Sequence, residues 1–152
     1  MSKEKSLVKT LYKTVILFMA ANFVGAVAAY VKHSKKAEEH EEGNNLIHSA
    51  ILGIHDMTIG AETEHSYITC FSGTLDITLE KPVHEDVFID IIAALGKVTI
   101  TLPMGVQCVL DDDGPYEATP DGEGNVEDEN APTVHITCKD ILAKLEICYA
   151  EA

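Results

Sequence analysis

Three stretches of this chain follow one plan: FSGTLDITL at residues 71 to 79, ALGKVTITL at 94 to 102 and ILAKLEICY at 141 to 149. Gly73, Gly96 and Ala143 fall in register. Behind each, apolar residues take every second position: Leu75, Ile77 and Leu79, then Val98, Ile100 and Leu102, then Leu145, Ile147 and Tyr149. Period-two alternation is the pattern of a strand that buries one face, and the intervening Thr, Asp, Lys and Glu keep the other face in water. A single strand of this kind cannot bury its apolar side alone, so the copies are expected to stack or to pair into one sheet.

The neighbouring residues extend the plan. Val87, Ile89 and Ile91 alternate into Gly96, and Val134, Ile136 and Cys138 do the same into Ala143. EKPVHED at 80 to 86 is a polar turn in which Pro82 stops a strand. LIHSAILGIHDMTI at 46 to 59 carries apolar residues on both sides of Gly53, 20 residues before Gly73, and reads as an imperfect first copy that caps the stack. Gly53, Gly73, Gly96 and Ala143 are therefore the expected corners, marking a positive φ or a tight bend between two strands of one unit. Ala143 departs from that rule and predicts a different geometry for the last corner. Gly73 to Gly96 is 23 residues and Gly96 to Ala143 is 47, about twice as far. The surplus is filled by residues 111 to 132, with nine acids, three glycines and three prolines, which reads as a long acidic loop. Asp121, Glu123 and Asn125 resemble the start of a calcium loop, but Val126 stands where an EF-hand needs glycine. Asp111, Asp112, Asp113, Asp121 and Glu123 are the candidates for weak cation contacts.

The amino-terminal part has a different character. Residues 14 to 31, TVILFMAANFVGAVAAYV, carry no charge. At about 1.5 Å per residue they span roughly 27 Å, close to the hydrocarbon thickness of a bilayer. Tyr12 and Tyr30 stand where interfacial aromatics sit, and Lys9, Lys13, Lys32, Lys35 and Lys36 would reach headgroups. The alternatives are a buried helix of a soluble domain and a secretory signal peptide with Lys3, Lys5, Lys9 and Lys13 as its basic region. The apolar run is long for that role, and Lys32 follows Tyr30 and Val31 instead of a small-residue cleavage site. Ala21, Gly25 and Ala29 recur every fourth residue, with Asn22 beside them, and are the candidates for close helix–helix association. Residues 33 to 45, HSKKAEEHEEGNN, read as helix run-out and linker.

Charge is distributed as unevenly as hydropathy. Residues 1 to 36 hold seven lysines and one acid, whereas residues 37 to 152 hold four lysines and 24 acids, and there is no arginine. A body this acidic repels phosphate backbones, which argues against nucleic acid as a partner. Cys70, Cys108, Cys138 and Cys148 form no CxxC pair; Cys108 and Cys138 share faces with core positions and read as small apolar residues, whereas Cys148 falls between core positions and is expected to face out. The unpatterned cysteines favour a reducing compartment or an anaerobic host. The short lysine-rich amino terminus favours a β domain outside the membrane, so the two indications of sidedness oppose each other. His48, His55 and His65 lack zinc spacing. No nucleophile motif, phosphate loop or dinucleotide glycine pattern is present, and neither catalysis nor a cofactor is expected.

Positions 66 to 150 resemble the carboxy-terminal domain of the LiaF family of cell-wall-active-antibiotics response proteins and the related bacterial adhesin-like toastrack domains. The resemblance lies in the order of parts: FSGTLDITL, a turn with a proline and acids, VFIDIIAALGKVTITLP, Pro103 and Gly105 leading into VQCVL, and a closing strand after an insertion. Paired glycines at each corner are usual in that family; here Ser72 precedes Gly73, Leu95 precedes Gly96, and the last corner has none. The resemblance implies signalling or regulation at the bacterial cell envelope and carries no catalytic residues. The expected architecture is mainly β, a β-solenoid-like stack of strand repeats with a long acidic loop, preceded by one transmembrane helix. Residues 1–36 are the anchor, 37–45 a polar linker, and 46–152 the repeat domain with its insertion at 111–132. The expected partners are the lipid bilayer, another membrane or signalling protein, and a second copy of the chain. Self-associating scaffold and cation binder are the alternative functions.

Overall fold

The computed structural model describes residues 2–39, 43–110 and 129–151. Among the described residues one helix, α1 (Ser2–Glu39), precedes seven strands: β1 (Asn45–Ile59), β2 (His65–Leu79), β3 (Asp86–Ala94), β4 (Lys97–Leu102), β5 (Gln107–Leu110), β6 (Thr133–Ile141) and β7 (Lys144–Tyr149). Every strand pairing is parallel. The first half of β2 pairs with β3 and its second half with β4, while β1 runs alongside β2 through both halves. β3 and β4 are thus one tier broken at Leu95 and Gly96, and β6 and β7 are one tier broken at Leu142 and Ala143.

Each tier has two arms that meet at a corner, and the sheet curls into half a barrel so that the arms face each other. Alternation then puts Ile68 and Cys70 of one arm in the same core cluster as Leu75, Ile77 and Leu79 of the other. The next tiers supply Ile89, Ile91 and Ala93 with Val98, Ile100 and Leu102, then Val134, Ile136 and Cys138 with Leu145 and Ile147. β-branched side chains dominate because they pack well on a pleated, half-buried surface.

Chain order and tier order diverge once. β5 pairs on the outer edge of β6, Cys108 opposite Val134, so β6 enters the sheet between β3 and a strand that precedes it in sequence. The spacing of the corners carries no sign of this crossover.

The corners also correct the expected role of the glycines. Leu52, Ser72, Leu95 and Leu142, each one residue before a corner position, have φ of 57°, 51°, 53° and 55°; among the corner glycines only Gly53 is positive, at 93°. Gly73 and Gly96 are needed for a different reason. A Cβ on Gly73 would stand 2.8 Å from the Gly53 carbonyl oxygen, and one on Gly96 would meet the Gly73 carbonyl more closely still. The last corner makes the same left-handed step at Leu142, so Ala143 does not change the backbone plan.

Other boundaries move too. α1 runs to Glu39, so part of the expected 37–45 linker is helix, and Asn45 already belongs to β1. Of the expected acidic loop, residues 111–128 lie outside the described residues.

Candidate functional site

β2 is buried on both faces from Ser66 to Phe71, where simple alternation would leave every second residue wet. Ile68 and Cys70 point to the core; Tyr67, Thr69 and Phe71 lie under α1. The helix presents Asn22, Ala26, Ala29 and His33, spaced four, three and four apart and therefore on one face, at 6%, 2%, 6% and 2% exposure. Small side chains let the helix come close. Ala26 and Ala29 pack with Phe71 and Ala94 in a second apolar cluster, against which Ile51 and Ile92 also pack. Gly25 leaves room for the Phe71 ring, since a Cβ there would be 2.6 Å from its Cε1.

Polar contacts hold the register of this seat. Ser72 Oγ donates to Asn22 Oδ1 at 2.6 Å, and Asn22 Nδ2 donates back along the helix to the Phe18 carbonyl at 2.8 Å. Thr69 Oγ1 and His33 Nδ1 are 3.3 Å apart, and the His33 ring lies 5.7 Å from that of Tyr67. Burial raises the Tyr67 phenol above its ordinary value. Lys36 Nζ reaches Asp90 Oδ2 at 3.0 Å, and Asn45 Nδ2 donates to the Ala37 carbonyl at 3.3 Å. A half-exposed ion pair like Lys36–Asp90 contributes about 0–1 kcal/mol, so it sets register more than affinity. Asn22 over Ser72 and Ala37 over Asn45 make α1 antiparallel to β1 and β2.

Three of the four helix-association candidates are therefore engaged within the chain. Asn22 and Ala29 are buried on the sheet, Gly25 faces Phe71, and Ala21 is exposed. Between Leu7 and Val31 the helix exposes many large apolar side chains, including Leu17, Phe18, Phe23, Val24, Val27 and Val31. By length and composition α1 suffices to cross a membrane. Where α1 passes Ser72, the corners add an apolar ridge: Leu52, Ile54, Leu95 and Leu142 are exposed, Ile54 and Leu142 by 80% and 82%. An open cleft of about 580 Å³ runs between them over Gly53, Gly73 and Gly96.

Among the described residues the titratable groups lie apart from one another or in pairs and stacks. His55 Nε2 lies 2.8 Å from the Leu52 carbonyl, and His65 stacks on Phe88, which stacks on His135, with centroids 5.0 and 4.9 Å apart. Burial lowers the pKa of His48. Among the described residues no group of three or more His, Cys, Asp or Glu is placed to hold a metal. All four cysteines are free thiols. Burial raises Cys70 and pushes Cys108 up to about 11, which makes them poor nucleophiles. Glu146 receives Lys97 Nζ and Lys144 Nζ, each at 2.6 Å, and these two cations hold its carboxyl at about 2. Asp111, Asp112, Asp113, Asp121 and Glu123, the candidate cation contacts, lie outside the described residues.

Reading the sequence by alternation misses the seat residues Tyr67, Thr69, Phe71, Asp90 and His33. One signal was available: SYITCF at 66 to 71 has no polar–apolar alternation, which is how a strand covered on both faces reads. Comparison of the chain with known protein families, with curated sequences and with solved structures finds no match.

Proposed function

We propose that this chain is a membrane-anchored, non-enzymatic binding or regulatory module, with α1 as the anchor and the curled sheet as the working domain. The observation that carries this reading is the outer surface of α1, where apolar side chains from Leu7 to Val31 stand exposed. Water opposes such a surface and a bilayer welcomes it. The preferred bilayer segment is 14–31. Moving the span toward the amino terminus would put Lys13 near mid-bilayer, at a cost of about 2.5–3.5 kcal/mol. In this proposal the tiers of paired arms make a β-solenoid-like stack. The resemblance of residues 66 to 150 to the LiaF-type and toastrack domains supports placing the module in signalling at a bacterial envelope.

Alkaline carbonate extraction of membranes from expressing cells tests the anchor. The native chain is expected in the pellet. The double substitution Met19→Asp with Phe23→Asp is expected in the supernatant, because each central aspartate costs about 2.5–3.5 kcal/mol. Release of the native chain by carbonate would overturn the reading.

A further inference from the structure

Resting on the anchor reading, we infer that α1 has two mutually exclusive seats, the outer face of the sheet and the bilayer, so that membrane insertion bares a face of the sheet which the helix otherwise covers. The seats compete because they use the same residues. The docked segment runs from Asn22, bonded to Ser72, to Ala37, bonded to Asn45. The uncharged span runs from 14 to 31. Residues 22 to 31 belong to both, and a stretch of helix about 15 Å long cannot be immersed in hydrocarbon while it lies on a sheet face that also carries Asp90 and Lys139.

A compromise is open only on poor terms. If 22–37 stayed on the sheet, the bilayer would receive residues 2–21, with Lys3, Lys5, Lys9 and Lys13 among them. Residues 14–31 bring no charge at all. The docked side of the helix is also the weaker apolar side, since it offers Ala26 and Ala29 to the sheet while Phe23, Val24, Val27 and Val31 point away from it. Lipid satisfies those larger groups and the sheet does not. Asn22 fits both seats, because its amide donates to Phe18 within the helix and only its oxygen depends on Ser72.

When the helix leaves, Phe71 and Ala94 lose their cover, along with the flanking Ile51 and Ile92. The polar residues 33–44 become the tether, and the domain presents in the membrane-inserted state an apolar face that it hides in the docked one. The device couples the location of the helix to the surface of the domain.

The experiment uses the full chain with its four native cysteines replaced, carrying Asn22→Cys and Ser72→Cys, in vesicles of phosphatidylethanolamine and phosphatidylglycerol and in the lipid-free state. Oxidation is expected to cross-link the pair in the lipid-free protein, with at least a tenfold lower yield in vesicles. A second variant, Ala94→Cys in the same background, avoids dependence on the bridge. Its thiol is expected to react with a water-soluble maleimide in vesicles as fast as an exposed Thr78→Cys control, and at least tenfold more slowly without lipid. Efficient cross-linking in vesicles, or a protected Ala94→Cys thiol on protein that floats with the vesicles and resists carbonate, would overturn the two-seat inference and leave the anchor standing. Failure to float at all would overturn both.

Discussion

Leu52, Ser72, Leu95 and Leu142 hold a left-handed backbone that costs L-residues roughly 1–2 kcal/mol each. The strain persists because each corner is locked between neighbouring tiers; at the last one, for instance, Lys144 N–H donates to the Gly96 carbonyl at 2.9 Å. Gly73 and Gly96, which follow Ser72 and Leu95, have a steric task, since the missing Cβ is the space in which the previous tier's carbonyl sits. Gly96→Ala is therefore expected to destabilise the domain by about 1–3 kcal/mol, as overpacking against a backbone atom does. Gly60→Ala, where the nearest heavy atom to the added Cβ is 3.9 Å away, is expected within about 0.5 kcal/mol of the native chain. Urea unfolding of the two variants checks both. The glycine column was legible from register alone. The left-handed residue before it was not, because local preference puts glycine, asparagine or aspartate at such a position and not leucine or serine.

At the scale of the element, α1 carries a small-residue stripe that sequence reasoning assigns to another helix. Within the chain, Gly25, Ala29 and the neighbouring Asn22 meet Phe71, Ala94 and Ser72 of its own sheet, while Ala21 is exposed. A stripe of small residues says only that something comes close; what comes close is a matter of long-range geometry. Gly25→Leu drives a side chain into the Phe71 ring and is expected to free the helix without disturbing the core tiers. Amide hydrogen exchange at residues 22–37 should rise at least tenfold, while exchange at residues 75–79 and 98–102 stays unchanged. Unaltered protection at 22–37 would show that the seat does not hold the helix.

At the scale of the whole molecule, residues 37 to 152 carry a net charge of -20, from four lysines against 24 acids. Acidification removes self-repulsion in general and works against one group in particular. The folded Glu146 carboxyl, at about 2 against an ordinary 4.5, is depressed. It contributes stability above about 4.5 that is lost as the pH falls toward 2. The melting temperature of the native chain should therefore exceed that of Glu146→Gln at neutral pH and converge with it across that window. Added salt should shrink the gap, since the trio is exposed. The sequence by itself determined the alternating arms, their corners and the apolar helix, because each is written in a local period or an uninterrupted run. Only the tertiary structure decided that β5 lies beyond β6, that the arms face one another across a half-barrel, and that α1 lies on β2. Several arrangements satisfy the same local pattern, and the choice among them rests on pairings between residues far apart in the chain.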